Sequence, residues 1–151
     1  MYQFKIIKLR GEAMGYTNDA GNKTILVVDD EDCLVAYLEM LLAHEGYNVV
    51  TASNGKQAVE VYKTKSDEID IVLMDITMPI LDGIQTYKQL TQYNPNVPIL
   101  FMSAYSQQSL EGIENLHFIR KPMRPREILQ SIEHIFDSSK SVSLPAGSDT
   151  V

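Results

Sequence analysis

The sequence predicts a doubly wound α/β domain, with five parallel strands in one sheet and five helices over its two faces. Three observations lead there. Short apolar runs bounded by turn or polar residues recur from Thr24 onward, and segments of helical periodicity separate them. Two of the runs end in aspartate, in "ILVVDDED" and "IDIVLMDITMP". Alternation of this kind requires crossover connections, which are right-handed and cover a parallel sheet on both sides. Ligands of such sheets bind beyond the carboxyl ends of the strands, where strand order reverses. The acidic strand ends therefore mark the expected site.

In chain order, the strands are expected over Thr24–Val28, Asn48–Ala52, Ile69–Met74, Pro98–Met102 and His117–Arg120. The first helix lies in "DCLVAYLEMLLAHEG", with Leu34, Leu38, Leu41 and Leu42 on one face and Gly46 placed to end it. The second spans about Gly55–Thr64, with Ser53 and Asn54 as possible caps and Ala58, Val59 and Tyr62 turned inward. The third, Gly83–Tyr93, follows Asp82 and carries Ile84, Tyr87 and Leu90; a short fourth falls over 107–114. The last begins at Pro125, a residue suited to a first turn, and lines Ile128, Leu129, Ile132, Ile135 and Phe136 along one stripe. Residues 24–136 form the domain in this reading. Residues 1–23 are a flexible extension, within which Met14 is an alternative start, and the Ser-rich residues 137–151 are a flexible tail.

Length and composition set the class. A chain of 151 residues with 44% hydrophobic and 22% charged residues suits one soluble globular domain. A formal net charge of -7 argues against direct nucleic-acid binding, which needs clustered Lys and Arg to displace counterions. No run approaches a membrane span, and the amino-terminal apolar patch is broken by Lys5 and Lys8, unlike a signal peptide. Cys33 is the single cysteine, which excludes an intrachain disulfide, fits a cytoplasmic location and reads as a small buried residue at a helix start.

If the first and third strands are neighbours, their ends lie roughly 5 Å apart, bringing Asp29, Asp30 and Asp75 into one pocket. One acid at a strand end is ordinarily a helix cap. Three together repel, so they need raised pKa values or a cation, and Mg2+ with oxygen ligands and retained water is the best fit.

The segments "VVDDE", "LMDITMPILDG", "FMSAY" and "IRKP" resemble, in order and at nearly the same spacing, the signatures of response-regulator receiver domains. The resemblance covers about Thr24 to Phe136. It implies a flavodoxin- or CheY-like sheet of order 2-1-3-4-5. It makes Asp75 the phospho-acceptor, with Mg2+ held by Asp30, Asp75 and the Thr77 carbonyl and, through water, by Asp29. Lys121 and Ser103 would contact the phosphoryl oxygens, Ser103 and Phe118 would form the switch, and the Lys121–Pro122 bond would be cis. Thr77 and Tyr105 occupy positions that tune dephosphorylation. The implied partners are a sensor histidine kinase or histidine phosphotransfer domain and a downstream protein target, in a stand-alone regulator without an output domain.

His44, His117 and His134 have no metal-ligand spacing and read as incidental, while Pro79 stiffens the loop after Asp75 and Gly83 lets it turn into the third helix. A Mg2+-dependent phosphatase with a strand-end aspartate nucleophile would resemble a pattern with a second acid two residues on, where this chain has Thr77. A phosphorylation-independent interaction module would lack the pocket, whereas Asp29, Asp30, Asp75, Ser103 and Lys121 are all present.

Overall fold

The computed structural model describes residues 23–104, 110, 112–113 and 117–142, with side chains through 138. These residues form β1 (Thr24–Val28), α1 (Asp32–His44), β2 (Asn48–Ala52), α2 (Gly55–Lys65), β3 (Ile71–Asp75), α3 (Gly83–Tyr93), β4 (Ile99–Ser103), β5 (His117–Arg120) and α4 (Pro125–Val142). The strands make one sheet of order β2-β1-β3-β4-β5, and every pairing is parallel. The short helix expected over 107–114, Tyr105 and the amino-terminal extension lie outside the described residues, apart from Lys23 at its end and isolated positions in 107–114.

Alternation along the strands builds two cores. Leu26, Val28, Val72, Met74, Ile99 and Phe101 face Ala58, Val59 and Tyr62 of α2 and Leu90 of α3. Ile25, Val27, Ile71, Leu73, Leu100 and Met102 face Leu38 and Leu42 of α1 and Ile128, Ile132 and Ile135 of α4. β3 and β4 are buried along their whole length, as the continuous apolar runs require of central parallel strands. Each such buried aliphatic or aromatic side chain contributes about 1.5–3 kcal/mol relative to exposure.

Local chemistry sets the boundaries. Asn54 caps α2 by accepting from the Gln57 N–H, and Asp82 and Gln85 form a reciprocal capping box at α3. Gly46, at φ 98°, closes α1. β3 and β4 both start and end closer to the carboxyl edge than the apolar runs suggest. Pro98 has no N–H and gives the ladder only its carbonyl, which accepts from Val72, so β4 starts at Ile99 and ends at Ser103. Asp70 is held outside β3 by its side chain, which accepts from the Thr24 N–H at 2.8 Å. Asp75 is the last residue of its strand.

Three local expectations are corrected. Cys33 is exposed, because the buried face of α1 is carried by Leu38 and Leu42 while Cys33 shares the outer face with Tyr37 and Met40. α4 runs on through Val142, so residues 137–142 are helical. Ser131 and Ser138 donate to the carbonyls of Glu127 and His134 four residues back, which satisfies their hydroxyls within the helix. Gly83 is needed for space, since its φ is not positive. A Cβ there would lie 2.5 Å from the Asp75 carbonyl oxygen and 2.8 Å from Ile76 Cα, both backbone atoms.

That close approach joins the start of α3 to the end of β3, reinforced by the Gly83 N–H donating to the Ile76 carbonyl at 2.8 Å. Gly83→Ala is expected to lower the unfolding free energy by about 1–3 kcal/mol, since two backbones must separate. Urea denaturation monitored by circular dichroism measures this directly, as a fall in midpoint at constant slope.

Candidate functional site

The register of the sheet assembles the site. Val28 pairs with Met74, so Asp29 stands level with Asp75 on the neighbouring strand. Asp75 pairs with Met102, which sets Ser103 one residue further along β4, and Ser103 pairs with Arg120, which sets Lys121 one beyond β5. Lys121 is anchored there by its own N–H, which donates to the Ser103 carbonyl at 2.8 Å. Four chain segments thus deliver their polar ends to one edge.

The acids meet as the strand ends imply. Carboxylate oxygens of Asp29, Asp30 and Asp75 lie within 4.8 Å of one another, with Asp29 and Asp75 buried and Asp30 exposed. Neither Asp29 nor Asp75 caps a helix in the ordinary way, since the cap positions of α1 and α3 are Glu31 and Asp82. Instead each accepts from the N–H two residues on: Glu31 N to Asp29 Oδ1 at 2.9 Å, and Thr77 N to Asp75 Oδ1 at 3.3 Å. These turns bend the chain off the sheet and hold both carboxylates at the edge.

Lys121 provides the opposing charge. Its Nζ donates to Asp29 Oδ2 at 2.8 Å and lies 3.4 Å from Asp75 Oδ2 and 3.9 Å from Glu31 Oε1. Burial pulls the lysine pKa down, but the hydrogen bond and charge of Asp29, with the charges of Asp75 and Glu31, outweigh this and hold it above its ordinary value. The Asp75 carboxyl is pushed up, first by burial and then by Asp29, against the opposing pull of Lys121 and the Thr77 N–H. One ammonium among these acids leaves net negative charge at the edge. A donor set of hard carboxylate oxygens with an exposed member suits a hard divalent cation that retains water.

Ser103 is buried at the end of β4, and Phe118 on β5 is half-buried against the core beside Phe101. Thr77 is exposed at the mouth. The Lys121–Pro122 bond is cis. His44 sits on the surface beside Glu45, while His117 and His134 line a groove of about 1070 Å3 between β5 and α4. That groove, floored by Leu100, Phe118 and Ile135, meets the acidic edge at Lys121 and, among the described residues, offers no grouped acids. The chemistry lies at the edge. Glu31 was absent from the residues expected there, although the third acid in "VVDDE" was its visible signal.

A sheet of this order carrying an acid cluster and a lysine on its carboxyl edge defines a CheY-like receiver. The sequence profile of the response regulator receiver domain matches residues 25–133, and the chain belongs to that family, the receivers of two-component systems. The chain is 37% identical over 123 residues to the alkaline phosphatase synthesis transcriptional regulatory protein PhoP of Bacillus subtilis, covering 79% of this chain and 50% of that one. It thus spans half the length of that relative. It is 36% identical over 118 residues to the chemotaxis protein CheY of Thermotoga maritima, covering 75% and 97%. A chain of the CheX–CheY–BeF3–Mg2+ complex from Borrelia burgdorferi superposes with a TM-score of 0.71 at 34% identity, over 76% of this chain and 89% of that one. Among the described residues no helix is long and apolar enough to cross a membrane.

The raised Asp75 pKa fixes the sign of one effect. Below the unfolded-state range of an aspartate the group is protonated in both states and contributes nothing; as pH rises through its higher folded-state value, ionisation costs stability. Asp75→Asn is therefore expected to match the wild type in acid and to exceed it at neutral pH, by on the order of 1 kcal/mol. Urea unfolding of both proteins across pH, without divalent ions, tests this; equal stability at neutral pH would contradict it.

Proposed function

We propose that this chain is a phosphorylation-controlled switch: Asp75 takes a phosphoryl group from the phosphohistidine of a sensor histidine kinase or histidine phosphotransfer domain, in a Mg2+-dependent reaction. A downstream protein reads the result. The observation that carries this is a buried carboxylate at the end of the central strand, grouped with two further aspartates and 3.4 Å from a lysine ammonium. An Asp75 carboxylate oxygen forms the new bond to phosphorus. The phosphorus–nitrogen bond of the donor breaks, its electron pair returns to the imidazole, and Asp75 becomes an acyl phosphate.

Phosphoryl transfer has a loose transition state with charge spread over the peripheral oxygens, so positioning and cations supply most of the acceleration. Asp30 and Asp75 would hold the metal by their carboxylates, Thr77 by its carbonyl and Asp29 through water. The bound ion would screen the acids from the incoming anion. Lys121 exchanges carboxylate contacts for phosphoryl oxygens, and the Ser103 hydroxyl moves onto the same group. Phe118 follows Ser103 inward and changes the surface over β5. Thr77 and Tyr105 would tune the rate at which water removes the phosphoryl group.

A single-domain regulator whose output passes through another protein is supported by the span of the match to the Thermotoga protein. The Borrelia neighbour, described in complex with CheX, supports protein–protein readout. The net acidity of the chain agrees with a protein target rather than nucleic acid, and its single cysteine, Cys33, with the cytoplasm.

Incubation with acetyl phosphate and Mg2+, followed by intact mass measurement, should give one base-labile phosphoryl adduct that Asp75→Ala lacks. An adduct that persists in the variant would overturn the assignment. In the absence of a phosphodonor, Mg2+ at ~100-fold above its Kd should raise the unfolding free energy by ~2.7 kcal/mol, and Asp30→Asn should remove most of that gain. Thermal melts with and without chelator measure it.

A further inference from the structure

Glu31 occupies the N-cap of α1, where a side chain ordinarily accepts from the backbone N–H groups of the first turn, yet its carboxylate makes no such bond. It turns instead toward the mouth of the site, with Oε1 3.9 Å from Lys121 Nζ. The backbone beneath it is held on both sides: its N–H donates to Asp29 Oδ1 at 2.9 Å, and its carbonyl accepts from Val35 at 3.0 Å. The side chain is 67% exposed, whereas Asp29 on the far side of the same ammonium is fully buried. Lys121 is thus held between an inner carboxylate and an outer one. The outer charge is exposed and lies 3.9 Å from the ammonium that itself stands 3.4 Å from Asp75 Oδ2.

We propose that Glu31 is a specificity-determining residue for the phosphodonor: its carboxylate competes at the mouth for Lys121 and repels donors in proportion to their negative charge. The proposal rests on Asp75 being the phospho-acceptor. Small dianionic donors suffer most from this repulsion, and donors of lower charge suffer less. A solvent-exposed ion pair at this distance is worth little in stability, and the same scale sets its kinetic effect.

The test uses the full chain with Mg2+ and two donors: acetyl phosphate, a dianion near neutral pH, and phosphoramidate, which carries a single net negative charge. With the first, the bond from phosphorus to the acetyl oxygen breaks and acetate leaves with the electron pair; with the second, the bond to nitrogen breaks and ammonia leaves. Glu31→Gln should raise the phosphorylation rate constant with acetyl phosphate by about 2–5-fold at low ionic strength. The rise with phosphoramidate should be smaller. Both should fade at ~1 M salt, where screening acts within about 3 Å. Glu60→Gln, the same charge change on the exposed face of α2, should leave the donor preference as it was. An unchanged rate in Glu31→Gln, or a rise equal for both donors and at every salt concentration, overturns the role of Glu31. Wild-type chain that takes no phosphoryl group onto Asp75 would instead overturn the reading beneath it.

Discussion

β1, β3 and β4 are covered on both sides, and a strand so buried can place charged groups only at its ends. This constraint organises the rest of the molecule. Parallel pairing aligns the carboxyl ends of all the strands along one edge, so polar residues distant in sequence arrive together without any direct attraction between them. Asp29, Asp75, Ser103 and Lys121 share that edge because Val28 pairs with Met74, Asp75 with Met102 and Ser103 with Arg120. A slip of one residue in any of these pairings would turn the apolar side chains of that strand to the wrong core. Hydrophobic patterning therefore holds the charges in place.

The charges do not hold the fold. Asp75 sits where burial and Asp29 both oppose its ionised form, and Lys121 relieves this only in part because its closest partner is Asp29. An arrangement optimised for stability would separate these acids or neutralise them. Keeping them grouped leaves a site that gains from added positive charge and from any group that draws Lys121 outward. Local strain has the same character. Ile80 has φ 71° between the Pro79 carbonyl and the Leu81 N–H that donates to it at 2.8 Å, a tight three-residue turn that a β-branched residue adopts at a cost. The turn lies in the loop that follows Asp75.

How much of this was legible in the sequence depends on the kind of interaction. Apolar periodicity carried the strands and their covering helices, because those features repeat along the chain, while the strand order that brings Asp29, Asp30 and Asp75 together was implied by the resemblance to receiver domains. What it missed depends on neighbours in space. The apolar runs could not show that Pro98 lacks the N–H needed to open β4, or that Asp70 is drawn out of β3 by Thr24. Cys33 looked like a small core residue, but one step around α1 separates it from the buried face. The serines after Phe136 suggested a tail, whereas Ser138 bonds back to the helix that carries it. The Lys121 contact with Asp29, and the turn of Glu31 toward the same ammonium, joins residues far apart in the chain, and no local pattern predicts it.

Gly83 shows how closely the two kinds of information meet. The sequence suggested a glycine that lets the loop turn into α3, and the joint is also a point of close contact. The missing side chain lets the first turn of α3 rest against the backbone of Asp75 and Ile76, and the capping box of Asp82 with Gln85 holds that turn in register. Asp75 is fixed from behind by the β3–β4 ladder and from in front by the helix that follows it. The Thr77 N–H then orients its carboxylate. A carboxylate whose charge is disfavoured would relax away from its repelling neighbour if either restraint were loose. Holding it on both sides retains that disfavoured charge at the edge, which is preorganisation built from packing rather than from attraction.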